Sequence, residues 1–238
     1  MLATDMTDRI RCEDAAAWDA WLAANHRQHE CVWLEIAKKN TGIASVTNDE
    51  DTGIRLILEH LKSLGHSRVV NIAGPQHIST GRDRLEAFER HRKVLGFDTE
   101  PGLVHIAQAL DEAEGERCAG LALDRLSGFT AIVASNDRLA VGAITELKKR
   151  GIACPAGMSV TGFNDMPMVD RLEPALTTVR VLQHEVGRRA AELLLSMIVG
   201  KTADQTEHIV MPVELVVRAS TGRIAGKARI SKRAHGER

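Results

Sequence analysis

The apolar positions change period several times along the chain, and each change predicts an element. Residues 129–134 form an apolar run of strand length that stops at Ser135-Asn136-Asp137, after which Leu139, Ala140, Ala143, Ile144 and Leu147 recur at helical spacing. Gly151 closes that helix, Pro155 and Gly157 mark a loop, and a second strand over 158–163 ends in another Asn-Asp pair, Asn164-Asp165. Strand, helix and strand in this order make a βαβ unit, the building block of an α/β fold with a parallel sheet. Both Asn-Asp pairs fall just past the carboxyl end of a strand, where open α/β sheets form their binding crevice.

The same reading extends to both sides. Ile54, Ile57, Leu58, Leu61 and Leu64 keep helical spacing from Asp51, with Gly65 as the stop. Residues 67–73 read as a strand apolar on both faces, as a sheet covered by helices on each side requires. After Gly74-Pro75 a helix is expected over about 82–95, with Leu85, Phe88 and Val94 inward and a solvated charged face opposite. A short strand (103–107), an Ala- and Glu-rich helix (112–126), a strand near 174–179 and a helix over 184–198 follow. In that last helix Val186, Ala190, Leu193, Leu194 and Ile198 share one face. A final strand is expected over 208–217, and Pro212 within it predicts a sheet edge or a bulge.

The N-terminal 45 residues read differently. They carry a helix candidate over 14–25 with Trp18 and Trp21, and a strand candidate over 31–37 with Trp33. At the other end the basic tail 224–238 is expected to be disordered on composition.

Composition narrows the function classes. Among 238 residues, 44% are hydrophobic and 26% charged, which is ordinary for a soluble globular protein. The net charge of −1 and pI near 6.8 give no basic field of the kind that marks a nucleic-acid binder. Cys12, Cys31, Cys118 and Cys154 are widely spaced, so neither a zinc site nor a disulfide framework is expected. The early acids and the lack of an apolar run at the N-terminus argue against a secretory signal, and no run approaches a membrane span. A cytoplasmic protein is expected. His26, His29 and Cys31 do not have metal-ligand spacing. No catalytic signature is readable: 157–162 is one residue too long for a G-x-S-x-G elbow, and 74–81 lacks the spacing and lysine of a P-loop. Neither an enzyme nor a cofactor is expected.

The strings VASNDRLAVGAITELKKRGI and SVTGFNDMPMVDRLEPALTTVR resemble the effector-sensing domain of LacI/GalR-type transcription regulators. So do VTNDEDTGIRLILEHLKSLGHSRVVNIAGP before them and MPVELVVRAST after them. The resemblance spans about 46–223. It implies a parallel-sheet, three-layer lobe of a periplasmic-binding-protein-like sensor, with the first lobe largely missing and no helix-turn-helix. In an intact member of that family, an effector closes two lobes and alters the spacing of two DNA-binding headpieces in a dimer. EDAAAWDAWLAANHRQHECVWLEIAKKNTGIASVT, by contrast, resembles the opening of the YdeI/OmpD-associated family, which places a seam at 45–47.

The regulator resemblance also implies site residues. The family's effector-contacting arginine matches Arg84, with Arg82 a weaker candidate. Read without the family, Arg84 is an exposed residue paired with Glu86 or Glu89. Asn136 matches an effector contact, although its position before a helix equally predicts an N-cap, and the two roles are compatible. Asn164 stands where the family commonly has Asp, with Asp165 able to compensate, and the aromatic stacking platform falls at Leu110. The expected partners are a small polar or sugar-like effector and a second chain, as a homodimer or a mixed dimer with a family member. DNA enters only by family analogy, and no membrane is involved. The alternatives are an effector-binding or dimerisation module without DNA binding, a resistance protein acting through its N-terminal segment, and a chimeric fragment without function.

Overall fold

The computed structural model describes residues 44–198 and 208–224, the strand dipeptides 9–10 and 33–34, and the helical positions 20 and 24. The expected helix over 14–25 lies outside the described residues except at those two positions. So do His26, His29, Cys31 and the tail beyond 224.

The chain divides into two compact units. One comprises 1–47 and 183–210, the other 48–182 and 211–238, so the chain passes between them at 47–48, 182–183 and 210–211. In the first unit, β1 (Arg9–Ile10) pairs in parallel with β2 (Trp33–Leu34). Helix α5 (Gln183–Ile198) occupies the expected span. Its predicted apolar stripe is only partly covered: Leu193 is buried, whereas Ala190 and Leu194 are exposed, as is Leu195 beside the stripe. β3 (Ser45–Asn48) pairs with β9 (His208–Met211) in a two-stranded ribbon.

The larger unit is the βαβ architecture that the period changes predict. In chain order it contains α1 (Glu50–Ser63), β4 (Val69–Ala73), α2 (Ser79–Val94), β5 (Val104–Ile106), α3 (Glu112–Arg125) and β6 (Ala131–Ala134). It continues with α4 (Asp137–Lys149), β7 (Ser159–Asn164), β8 (Thr177–Val181) and β10 (Val213–Val216). Six strands make one sheet in the order β10-β8-β7-β6-β4-β5, parallel except for β10, which runs antiparallel to β8. β4 and β6 are buried along their whole lengths because helices cover both faces. On one face Ile54, Ile57, Leu58, Leu61 and Phe88 of α1 and α2 pack on Val69, Val133, Phe163 and Val179. On the other, Leu139 and Leu147 of α4 and Cys118 and Ala122 of α3 pack on Ile72, Ile132 and Val160. Helices on each side of a sheet give the three layers.

Three expectations change. Helix α2 starts at Ser79 rather than near Arg82, and Val94 at its end is 77% exposed rather than inward. The expected strand over 208–217 is two strands: Pro212, which has no N–H to donate, separates β9 from β10, and the two join different sheets. The edge position foreseen from Pro212 is that of β10, at one end of the six-stranded sheet.

Candidate functional site

In this sheet the strand order reverses between β4 and β6, because β5 lies outside β4 while β6, β7 and β8 extend the other way. The carboxyl ends of strands at such a switch point leave a crevice between divergent connections. The segments emerging there are Gly74-Pro75 after β4, Ser135-Asn136-Asp137 after β6 and Asn164-Asp165 at the end of β7.

Arg84, from the second turn of α2, is the centre of what they form. It is 7% exposed and makes no ion pair with Glu86 or Glu89, so the expectation of an exposed arginine is corrected. Its Nε donates to Glu50 Oε2 at 2.5 Å and its Nη2 to Glu50 Oε1 at 3.3 Å. Nη1 donates to the Ser135 carbonyl at 2.5 Å, and Nη2 makes a long contact to Asn164 Oδ1 at 3.4 Å. The guanidinium lies 3.7 Å from the centroid of the Phe163 ring, a cation–π stack on the last apolar residue of β7. Helix α1 comes against the same ring at Gly53: a Cβ there would sit 2.6 Å from Phe163 Cε2 and Cζ, so only glycine permits the approach. Arg82, by contrast, is exposed and donates to the Gln76 carbonyl.

Asn136 is the N-cap of α4. Its Oδ1 accepts from Leu139 N at 2.8 Å and its Nδ2 donates to the Leu110 carbonyl at 3.1 Å. The cap foreseen in sequence is therefore present, and it also ties Leu110 to the carboxyl end of β6. The Leu110 side chain packs against the apolar core beneath α3 and α4.

At the end of β7 the backbone takes unusual conformations. Asn164 has φ 121°, Asp165 φ 53° and Met168 φ 80°. Asn and Asp tolerate this region better than other side chains, and such residues gather where a fold fixes functional groups. Asp165 is held on both oxygens, by Arg180 Nε at 2.7 Å and Arg218 Nη2 at 2.7 Å. Its carboxylate is thus committed to binding the β7 loop to β8 and to the segment after β10.

Sequence reading missed Glu50, and it placed Asp137 at the crevice without giving it a role. Glu50 looks like an ordinary first-turn acid favoured by the helix dipole, and its neighbour Asp51 is one, exposed and paired with Arg90 and His91. Only the inward turn of Glu50 distinguishes them. Asp137 is fully buried; it accepts from Met166 N at 2.7 Å and from the Thr178 hydroxyl. Burial raises its carboxyl above the ordinary aspartate range, against the lowering effect of those two donors. It fastens the start of α4 to the β7 loop and to β8. Among the described residues no group of metal-ligating side chains is found, and none of the helices is long and apolar enough to cross a membrane.

A lobe of this order with a polar cluster at its switch point is the class of small-molecule-binding α/β domains. Residues 58–221, more than half of the chain, match the family described as periplasmic binding protein-like domain, and the chain belongs to that family. Within it, this is the effector-sensing domain of LacI-type transcription regulators. The chain is 35% identical over 178 residues to an uncharacterized HTH-type transcriptional regulator in the aml 5' region of Streptomyces limosus, covering 74% of this chain and 50% of that protein. It is 35% identical over 184 residues to the HTH-type transcriptional regulator MalR of Streptomyces coelicolor, covering 76% and 53%. The chain therefore spans about half the length of the curated relatives it matches. Among solved structures, the complex of the transcriptional regulator CelR with cellobiose superposes with a TM-score of 0.73 at 26% identity, over 79% of this chain and 59% of that one. The lac repressor dimer bound to operator and an anti-inducer gives 0.72 at 23% identity over 90% and 71%, a likeness of fold alone.

The N-terminal expectation is corrected. Residues 10–63 match a domain of unknown function, not the opening of the YdeI/OmpD-associated family, and that match runs past the expected seam at 45–47 into α1.

Proposed function

We propose that this chain is the effector-sensing portion of a cytoplasmic LacI-type transcription regulator, and that its effector is a small polar, hydroxyl-bearing metabolite held at the carboxyl ends of β4, β6 and β7. The observation that carries this reading is the convergence of Arg84, Ser135, Asn136, Asn164 and the Leu110 carbonyl at the strand-order reversal. In this reading Arg84 and Asn164 meet the ligand, Asn136 fixes the rim, Leu110 supplies an apolar wall, and Asp165 holds the loop in place. The cellobiose complex of the CelR relative makes uncharged sugars the first ligands to test. The domain works as a dimer, and a DNA-binding role comes to it only by analogy with its HTH-type relatives, since no helix-turn-helix is readable in its own sequence. Catalysis is not part of this reading.

The test is a thermal melt of the purified chain against sugars, sugar acids, purines and amino acids. A saturable rise in midpoint with one ligand class supports the reading, because a ligand that binds only the native state stabilises it by mass action. A cooperative transition unmoved by every member of the panel overturns it. A second reading, a dimerisation module without DNA binding that forms mixed dimers with a family member, is favoured by the exposed Leu194 and Leu195 on α5. Sedimentation showing a monomer both alone and with a full-length relative would remove it.

A further inference from the structure

We propose that Glu50 sets the charge of the ligand this site accepts: as a built-in counter-ion to Arg84, it commits the site to an uncharged, hydroxyl-bearing molecule and turns away carboxylates and phosphates. The inference rests on the effector reading above and concerns the same site.

A guanidinium at the mouth of a binding crevice is ordinarily an anion receptor, because its fork matches two oxygens of a carboxylate or phosphate. Here the fork is already filled from within the chain. Nε and Nη2 face the two oxygens of Glu50, Nη1 faces the Ser135 carbonyl, and Nη2 also faces Asn164. A guanidinium has five N–H donors in all, so one on Nη1 remains. One donor suffices for a hydroxyl oxygen, whereas an anion would need the fork and would lie against the Glu50 carboxylate.

The two arginines at the β7 loop offer no spare positive charge. Arg180 and Arg218 are both spent on Asp165, and Arg180 also on Glu214. Asn164 adds no charge of either sign. Nor is the placement of Glu50 incidental: it lies on the inward face of α1 with Gly53, Ile54 and Ile57, and the approach of that face to Phe163 is what brings the carboxylate to Arg84. A buried pair that only stabilised the fold would leave ligand charge preference untouched, so that preference is the readout.

The experiment compares the native chain with Glu50→Gln in thermal melts with inorganic phosphate, chloride at matched ionic strength being the reference. Phosphate stabilises most proteins through surface exclusion, but that response does not saturate. The native chain is expected to show no saturable response. Glu50→Gln, with the fork released, is expected to gain a saturable rise of about 5 °C, and Glu50→Gln/Arg84→Met to lose it. A saturable rise in the native chain, a variant no different from native, or a response that survives in the double variant would each overturn the proposal. Should Glu50→Gln not fold, glucose and glucuronate, and cellobiose and cellobionate, are compared on the native chain. Preference for the neutral member supports the proposal and preference for the acid overturns it. Failure of every sugar in the panel would defeat the effector reading, while the phosphate comparison would still decide the role of Glu50.

Discussion

Removing one partner of the Glu50–Arg84 pair tests whether the centre of the site is as dry as the structure makes it. The two side chains are 6% and 8% exposed, so each charge depends on the other rather than on water. Truncating one partner of a buried pair costs about 3–5 kcal/mol, because the remaining charge stays desolvated. In Glu50→Ala the orphaned guanidinium keeps the Ser135 carbonyl and the Phe163 ring, which places the expected loss at the low end, about 3 kcal/mol. Arg84→Ala also removes the arginine stem from its packing and leaves a carboxylate without a cation, for about 4 kcal/mol. Glu50→Gln/Arg84→Met keeps the volume and removes both charges, and is expected to cost only about 1 kcal/mol. Urea unfolding followed by circular dichroism measures all of these, and Glu50→Ala should lower the melting midpoint by roughly 6–12 °C. Single variants that each cost less than about 1 kcal/mol and combine additively would refute the reasoning, since that is how an exposed ion pair behaves.

Three further outcomes are expected. Gly142→Ala should destabilise by about 3 kcal/mol in the same assay, because a Cβ there would sit 2.0 Å from the Glu112 carbonyl oxygen, and Gly115 approaches Leu139 in the same way, so α3 and α4 must part. Asn136→Ala should cost about 1–2 kcal/mol through the lost cap and the unpaired Leu110 carbonyl, and should weaken any ligand found in the thermal panel. His60 and His66 hold the segment after β10 through Thr221 and Gly222, and burial lowers the pKa of both. A histidine whose folded pKa is depressed contributes stability that is complete above its unfolded value, near pH 6.5, and is lost as pH falls toward the folded value. Urea midpoints should therefore drop as pH falls below about 7, by at most about 1.4 kcal/mol per pH unit for each histidine, and His66→Gln should flatten the slope.

What was legible in the sequence follows from what periodicity encodes. The strands β4, β6 and β7 and the helices α1, α3 and α4 lie within a few residues of their expected spans, because both faces of the sheet are covered and the apolar signal is strong. Gly65 and Gly151 as stops are explained by their φ values of 95° and 69°. Pro212 announced an interruption, but not that the strands on either side join different sheets, since pairing partners are set by contacts remote in sequence. Val94 failed as a core residue because it stands at the last position of α2, where helical spacing no longer implies a covering layer. The candidate site was half legible. Asn136 and Asn164 were visible as strand-end residues, and Arg84 through family resemblance. Glu50 was not, because an acid in the first turn of a helix looks the same whether it faces solvent, as Asp51 does, or an arginine 34 residues away.

Hydrogen exchange of the chain with and without the sugar that raises its melting midpoint furthest tests the central claim most directly. Slowed exchange confined to the amides after β4, β6 and β7, around 74–81, 135–139 and 163–168, together with those around Leu110, is the result predicted. Protection centred on the opposite end of the sheet, around His66, Thr130 and Gly222, would contradict it.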